Sequence, residues 1–187
     1  MIDMRSPALL IIDLFSRFDF PDGEQLGPLA VEAARAVRPI RDAFDERGWP
    51  VIYANDNFGN WKCGFRELAE ECMQTPGAPR EIARTLFPST THYSVLKPKH
   101  SAFLSTPLQI LLEKLGAAPL VLTGMALDSC VLATAIDANS REHECLVVDQ
   151  ATACLPERRS AALDVLSQSG AARVLTDRQL RQRLMSA

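Results

Sequence analysis

The chain has 187 residues, 47% of them hydrophobic, and carries a formal net charge of -3 at pH 7. This length and apolar content predict a single globular domain over residues 1–187, because domains usually contain roughly 100–200 residues. The acidic balance gives no general attraction to a polyanion, so we expect no nucleic-acid partner and no binding to anionic membranes.

The compartment is predicted from the first residues, the apolar runs and the cysteines. The stretch from Met1 to Arg5 lacks the basic region and cleavage site of a signal peptide. No apolar run reaches the roughly 18 residues that span a bilayer. The five cysteines are odd in number and contain no Cys-x-x-Cys pair, which argues against a disulfide framework or a zinc knuckle. We therefore expect a cytoplasmic protein.

Apolar runs of strand length alternate along the chain with stretches of helical periodicity. This alternation is typical of a doubly wound α/β fold, with three α/β/α layers around a six-stranded, mostly parallel sheet. The predicted strands are residues 8–12, 50–54, 93–96, 120–123, 144–148 and 172–175. The predicted helices are residues 28–47, 106–115, 129–141, 156–167 and 176–185.

Residues 55–91 differ from the rest of the chain. They are rich in Gly, Pro and aromatic residues, with only a short helical stretch predicted at 66–73. Long loops in compact domains are often functional, so we expect this segment to cover part of a site or a subunit interface.

Three reactive residues follow predicted strands. Asp13 follows the first strand, Lys97 follows the third, and Cys130 lies where the fourth strand turns into its helix. Because the carboxyl ends of parallel strands open onto one crevice, these side chains are expected to converge there. Each has an ordinary structural explanation when taken alone, as a turn former, a solvated lysine or a small buried side chain. Only their coincidence favours a catalytic centre.

Cys130 is the candidate nucleophile. A thiol in the first turn of a helix, beside a cation, is expected to have a lowered pKa, so we predict a thiolate. Free backbone N–H groups in the preceding turn would bind an oxyanion on an attacked carbonyl. Asp13 would accept and return the proton, and Lys97 would balance the negative charge.

Three ordered segments of the sequence resemble the isochorismatase-like cysteine hydrolases. The run Leu10-Ile11-Ile12-Asp13 resembles the opening strand with the catalytic Asp, and Leu96-Lys97-Pro98-Lys99-His100-Ser101-Ala102-Phe103 resembles the segment with the catalytic Lys. The run Leu122-Thr123-Gly124-Met125-Ala126-Leu127-Asp128-Ser129-Cys130-Val131 is similar to the nucleophile turn. The resemblance covers nearly the whole chain.

The resemblance implies an Asp13–Lys97–Cys130 triad and a cis peptide between Met125 and Ala126. The N–H groups of Ala126 and Cys130 would form the oxyanion hole. Attack by Cys130 on a carbonyl, loss of ammonia or an amine, and hydrolysis of the acyl-enzyme would follow. No cofactor is implied.

The chain also departs from part of that family. Nicotinamidases carry an Asp and several histidines after the second strand as metal ligands, whereas this chain has Asp56 there and no neighbouring histidine. With three histidines in total, it lacks the means to build a multi-histidine site, so we expect no metal. Leu127, in place of a Thr common among relatives, is expected to make the pocket less polar. Eight side chains are predicted to line the pocket: Phe15, Phe20, Asn55, Asn57, Phe58, Trp61, Phe103 and Leu127.

The favoured function is cleavage of a C–N bond in a small amide or N-carbamoyl compound. Two alternatives stay open: cleavage of an isochorismate-like enol ether through the aspartate, and a non-catalytic module with a redox-reactive thiol. The apolar content and the aromatic loop after Asn55 favour a homo-oligomer.

Overall fold

The computed structural model describes residues 6–185, so Met1 to Arg5, on which the prediction about a signal peptide depends, lie outside the described residues. Within this range the chain forms six strands. They are β1 (Ala8–Ile12), β2 (Val51–Asp56), β3 (Tyr93–Lys97), β4 (Leu120–Met125), β5 (Cys145–Ala153) and β6 (Arg173–Leu175). They pair in the order β3-β2-β1-β4-β5-β6, and each of these pairs is parallel.

Helices cover both faces of the sheet. They are α1 (Gly23–Glu46), α2 (Phe65–Gln74), α3 (Ala78–Leu86), α4 (Leu108–Leu115), α5 (Leu132–Asn139), α6 (Pro156–Gln168) and α7 (Asp177–Met185). None of these helices combines the length and the apolar character that a membrane crossing requires.

Alternation along β1 separates the two hydrophobic clusters. Leu9 and Ile11 belong to the cluster that includes buried residues of α1, α2, α3 and α7. Leu10 and Ile12 belong to the cluster that includes residues of α4, α5 and α6. Because successive side chains of a strand point to opposite faces, the five apolar residues of β1 are buried on both sides. The predicted three-layer α/β/α fold is confirmed.

Several strands continue beyond their predicted carboxyl ends. β2 extends to Asp56, β3 to Lys97 and β4 to Met125, and Asp56 pairs with Lys97 in register. At the ends of β2 and β3, polar residues interrupted the apolar runs on which the prediction relied, yet the backbone ladder continues through them. Lys97 therefore belongs to the sheet itself, whereas Asp13 follows β1 directly.

The composition of residues 55–91 had led us to expect a loop over the site, but these residues do not form one. They contain α2 and also α3, which was missed, and Cys72, Ile82 and Leu86 lie in the hydrophobic core. The buried residues of α3 follow the spacing of one helical face, but Gly77 and Pro79 resembled loop signals. Only the short connection after β2 lies near the site.

Gly124 of β4 pairs with Ile12, the last residue of β1. Its φ is +106°, and a Cβ atom built there would stand 2.0 Å from the carbonyl oxygen of Ile12. That oxygen belongs to backbone in the centre of the sheet, so it has little freedom to move. Only glycine allows this contact one residue before Asp13.

Gly124→Ala is expected to lower the free energy of unfolding by about 3 kcal/mol, because it combines a forbidden φ with a backbone clash. Gly170→Ala is the matched control. Gly170 has a φ of +70°, but a Cβ atom added to it would meet no other atom within 4 Å, so the loss should be about 1 kcal/mol. Urea unfolding measures both. Equal losses would show that the contact with Ile12 is not the cause.

Candidate active site

The side chains of Asp13, Lys97 and Cys130 meet at the carboxyl end of the sheet. Lys97 Nζ lies 2.6 Å from Asp13 Oδ2 and 3.6 Å from Cys130 Sγ. The side chain of Lys97 is 0% exposed and that of Asp13 is 9% exposed. The structure thus brings together the three residues that the sequence singled out, and the ion pair between two of them is buried.

Asp13 is fixed by the turn that follows β1. Its φ is +52°, and its backbone N–H donates to the carbonyl of Ala54 at 3.0 Å. The backbone N–H of Asp56 donates to Asp13 Oδ1 at 2.6 Å, which leaves Oδ2 for Lys97. Burial raises the pKa of Asp13, and the nearby Lys97 charge offsets this only in part. Asp13 therefore binds a proton more readily than an exposed aspartate.

The side chain of Lys97 reaches from the edge strand β3 to Asp13, which directly follows β1. Its ammonium also donates to the carbonyl of Lys99 at 3.0 Å and lies 3.9 Å from Asp56 Oδ2. Burial lowers the pKa of Lys97, but the opposing contributions of Asp13 and Cys130 outweigh it and the net pKa is raised. The ammonium is therefore a fixed positive charge in the site.

Cys130 lies in a π-helical turn, Leu127–Val131, between β4 and α5. Burial and the charge of Asp13 raise the pKa of its thiol to about 12, against the lowering influence of Lys97. The prediction of a resting thiolate was wrong. The α-helix in whose first turn Cys130 was predicted begins only at Leu132, and burial and the Asp13 carboxylate raise the pKa of the thiol by more than Lys97 lowers it. The resting thiol is protonated, so reaction requires a base.

The turn before Cys130 carries the backbone feature that the resemblance implied. The Met125–Ala126 peptide is cis. Met125 and Ala126 both line a cavity that opens onto Cys130. The two residues of the cis peptide therefore border the same cavity as the thiol.

That cavity has a volume of about 310 Å³. It is bordered by two of the reactive residues, Asp13 and Cys130, and by apolar side chains that include two of the predicted pocket aromatics. Its lining residues are Asp13, Ser16, Phe20, Leu26, Asp56, Phe58, His100, Met125, Ala126, Ser129 and Cys130. A larger cavity of about 530 Å³ lies around Cys145 and Arg173, at the opposite end of the sheet from the reactive residues. The smaller cavity is therefore the candidate active site, because Asp13 and Cys130 line it and no reactive residue lines the larger one.

Four of the predicted pocket residues are buried in the protein and do not line the cavity. Phe15 packs edge-on against Tyr53 and Phe65. Asn55 clamps the backbone of Phe15, accepting from its N–H and donating to its carbonyl. Phe103 stacks on the ring of His143, and Leu127 is fully buried in the core on the helix α5 side of the sheet.

Two further predicted residues lie outside the cavity for other reasons. Trp61 is 77% exposed. Asn57 accepts a hydrogen bond from the N–H of Gly59 and lines a separate, smaller cavity with Phe58. Of the eight predicted residues, the cavity brings only Phe20 and Phe58 to Cys130. Whether a predicted residue lines the cavity depends on the side of the backbone from which its side chain projects and on the direction of the turn that carries it.

Sequence reasoning missed His100 and Ser129. His100 Nδ1 lies 3.1 Å from Ser129 Oγ and 3.7 Å from Cys130 Sγ. Both residues lie within the segments that carry the family resemblance, His100 three positions after Lys97 and Ser129 directly before Cys130. Their proximity to the two reactive residues was the available signal, but their types alone did not mark them.

The residues around Asp56 do not fit a metal site. Asp56 Oδ1 accepts from the N–H of Phe58, and Oδ2 lies near the Lys97 ammonium, which would repel a cation. His92 and His143 contact Asp45 and Gln109 elsewhere in the fold. Between residues 6 and 185, no group of three or more His, Cys, Asp or Glu side chains could hold a metal ion.

Comparison with known proteins identifies the family to which this chain belongs. The model of the isochorismatase domain matches residues 7–179. The uncharacterized isochorismatase family protein YaaI of Bacillus subtilis is 32% identical over 174 residues, covering 92% of this chain and 95% of that protein.

Two relatives with named activities are more distant. Ureidoacrylate amidohydrolase RutB of Methylobacterium radiotolerans is 26% identical over 179 residues, covering 81% of this chain and 68% of that protein. The crystal structure of N-carbamoylsarcosine amidase from Thermoplasma acidophilum has a TM-score of 0.70 and 26% identity, covering 92% of this chain and 96% of that one. The chain belongs to the isochorismatase-like family of hydrolases.

Proposed function

We propose that this protein hydrolyses a C–N bond of a small amide or N-carbamoyl compound through an acyl-enzyme on Cys130. The observation that carries the proposal is the contact of the thiol with a buried ion pair. Cys130 Sγ is 3.6 Å from Lys97 Nζ, which is 2.6 Å from Asp13. A nucleophile and a base border one cavity, and a buried positive charge contacts both of them.

In the first step Asp13 takes the thiol proton while Cys130 Sγ attacks the substrate carbonyl carbon. The raised pKa of Asp13 suits it to this transfer from a thiol that is protonated at rest. The negative charge that develops on the carbonyl oxygen would be bound by the N–H groups of Ala126 and Cys130. The Lys97 ammonium balances the charge left in the site.

In the second step the C–N bond breaks, and the nitrogen departs with the proton that Asp13 returns. Water then enters, Asp13 accepts one of its protons, and the oxygen attacks the acyl carbon. The C–S bond breaks, the proton returns to Cys130, and the acid product leaves. Asp13 thus acts twice as base, towards the thiol and towards water, and twice as acid, towards the departing nitrogen and towards Cys130.

The substrate class is supported by the cavity and by the relatives. A volume of about 310 Å³ is at the small end of ligand pockets. Phe20 and Phe58 supply apolar walls around a few polar groups. The named relatives act on a ureidoacrylate and an N-carbamoylsarcosine, both small compounds with a C–N bond beside a carbonyl.

Enol-ether cleavage is the second candidate, and the raised pKa of Asp13 favours it, because a protonated carboxyl is the acid such a cleavage needs. The raised pKa of the Cys130 thiol argues against the alternative of a redox-reactive module. A pKa of about 12 for Cys130 leaves little thiolate at neutral pH, and oxidation follows thiolate content.

The test is turnover of a panel of small amides, N-carbamoyl compounds, nicotinamide and isochorismate, with ammonia and pyruvate measured separately. We expect ammonia release from at least one amide or N-carbamoyl compound and none from nicotinamide. Pyruvate release from isochorismate without ammonia from any other compound would replace the proposal with the enol-ether candidate.

The proposal also covers the setting of the enzyme: one hydrolase domain over residues 1–187, cytoplasmic, forming a homo-oligomer and binding no nucleic acid. The five cysteines are free, which supports a reducing compartment. Phe20 and Phe58 are exposed at the cavity, and Trp61 is exposed three residues after Phe58. Exposed aromatics of this kind are common at subunit contacts.

A further inference from the structure

The proposed chemistry faces an obstacle at Cys130. The thiol must become a thiolate, yet burial and the Asp13 carboxylate both favour the neutral form. Lys97 is the one cation within 4 Å of the sulfur among the described contacts, and it is already paired with Asp13 at 2.6 Å. Any further donor directed at the sulfur would therefore assist the reaction.

Two polar side chains approach the sulfur from outside that ion pair. Ser129 Oγ lies 3.9 Å from Cys130 Sγ, within hydrogen-bonding range for sulfur, and lowers the pKa of the thiol. His100 Nδ1 lies 3.1 Å from Ser129 Oγ and 3.7 Å from the same sulfur. Both residues line the cavity, so their hydrogen bonds are made at the reacting atom.

The direction of these hydrogen bonds follows from the hydroxyl having one proton. If Ser129 donated to His100, its hydroxyl would have no proton for the sulfur. If His100 carries a proton on Nδ1 and donates to Ser129 Oγ, the hydroxyl proton is directed towards Cys130 Sγ. The second arrangement produces a chain of donors that ends on the nucleophile, and it becomes stronger as negative charge forms there.

We propose that His100 is a positioning residue that orients the Ser129 hydroxyl to donate to the Cys130 thiolate, in a relay separate from Asp13 and Lys97. The inference builds on the proposed role of Cys130 as nucleophile. The charged groups near the sulfur are Asp13, directly after β1, and Lys97 of β3. Asp56 of β2 contacts the Lys97 ammonium. The relay adds two further polar side chains near the sulfur, His100 from the segment after β3 and Ser129 from the turn directly before Cys130.

Alkylation by iodoacetamide tests the relay without a substrate, so it stands apart from any failure to find one. The protein carries Cys63→Ser, because Cys63 is the other partly exposed cysteine. Modification of Cys130 at pH 8 is followed by mass spectrometry. Ser129→Ala and His100→Leu are each expected to slow alkylation about tenfold, the change in thiolate that follows a pKa rise of about one unit.

The double variant Ser129→Ala/His100→Leu separates a relay from a change in access to the cavity. In a relay, His100 acts through Ser129, so the double variant should be about tenfold slower and not a hundredfold slower. His100→Asn, whose amide nitrogen occupies the place of Nδ1, should restore the rate to within about threefold of the parent, whereas His100→Gln should not. Single variants that match the parent, or effects that multiply, would overturn the proposal.

Discussion

Replacing Cys130 with alanine is expected to lower kcat for every C–N substrate by a factor on the order of 10⁴ or more, because no acyl-enzyme can form. Cys130 is the one cysteine whose sulfur contacts Lys97 among the described residues. Cys63→Ser is the matched control, since Cys63 is equally a partly exposed cysteine but lies outside the catalytic cavity. It should keep kcat within about twofold. Initial rates with saturating substrate measure both.

The two variants should also have the same thermal unfolding midpoint as the parent, to within a few degrees, so that loss of rate is not loss of fold. Turnover by Cys130→Ala above a tenth of the parent rate would remove the thiol from the mechanism. In that case Asp13 would be the remaining group able to carry the reaction.

Lys97→Met is expected to lower the free energy of unfolding by about 3–5 kcal/mol, because it leaves the Asp13 carboxylate buried without its partner. Methionine fills most of the lysine volume, so a cavity contributes little. The carboxylate keeps only its hydrogen bond from the N–H of Asp56 and its contact with the thiol. Urea unfolding followed by tryptophan fluorescence measures the loss.

The control is the double variant Asp13→Leu/Lys97→Met. It removes both charges, so it should recover most of the lost stability while remaining inactive. A variant at the surface shows how little exposed ion pairs contribute. Arg17→Met breaks exposed contacts with Asp19 and Glu71 and should lower the free energy of unfolding by less than about 1 kcal/mol. If Lys97→Met cost no more than Arg17→Met, the buried pair would not be the source of stability that its burial implies.

The fold and the meeting of the three reactive residues could be predicted from the sequence, and for the same reason. Parallel strands connected by helices bring their carboxyl ends to one edge, so any residue that ends a strand is placed there. Asp13 and Lys97 are such residues. The order of the strands did not need to be known, because the carboxyl ends of all parallel strands lie at the same edge of the sheet.

The pocket walls could not be predicted with the same success. Phe15 and Phe20 both follow Asp13 closely, yet one packs into the core and the other lines the cavity. The turn at Asp13 has a positive φ, which changes the direction of the chain by an amount that no sequence period encodes. The thiol pKa was mispredicted for a related reason: helix position is visible in the sequence, but the depth of burial and the contact with Asp13 are not.

Lys97 lies on the edge strand β3 and reaches past β2 to Asp13, so its ion pair needs three neighbouring strands in place. Cys130 is delivered by β4, on the other side of β1. During synthesis, the chain that has emerged up to β3 holds the base and the cation but no nucleophile. A chain that has opened at its edge holds an ordinary thiol without its ammonium. The proposed base, cation and nucleophile therefore come together only when the four strands β3, β2, β1 and β4 are in place side by side, and a partly folded chain that lacks one of them lacks the complete set.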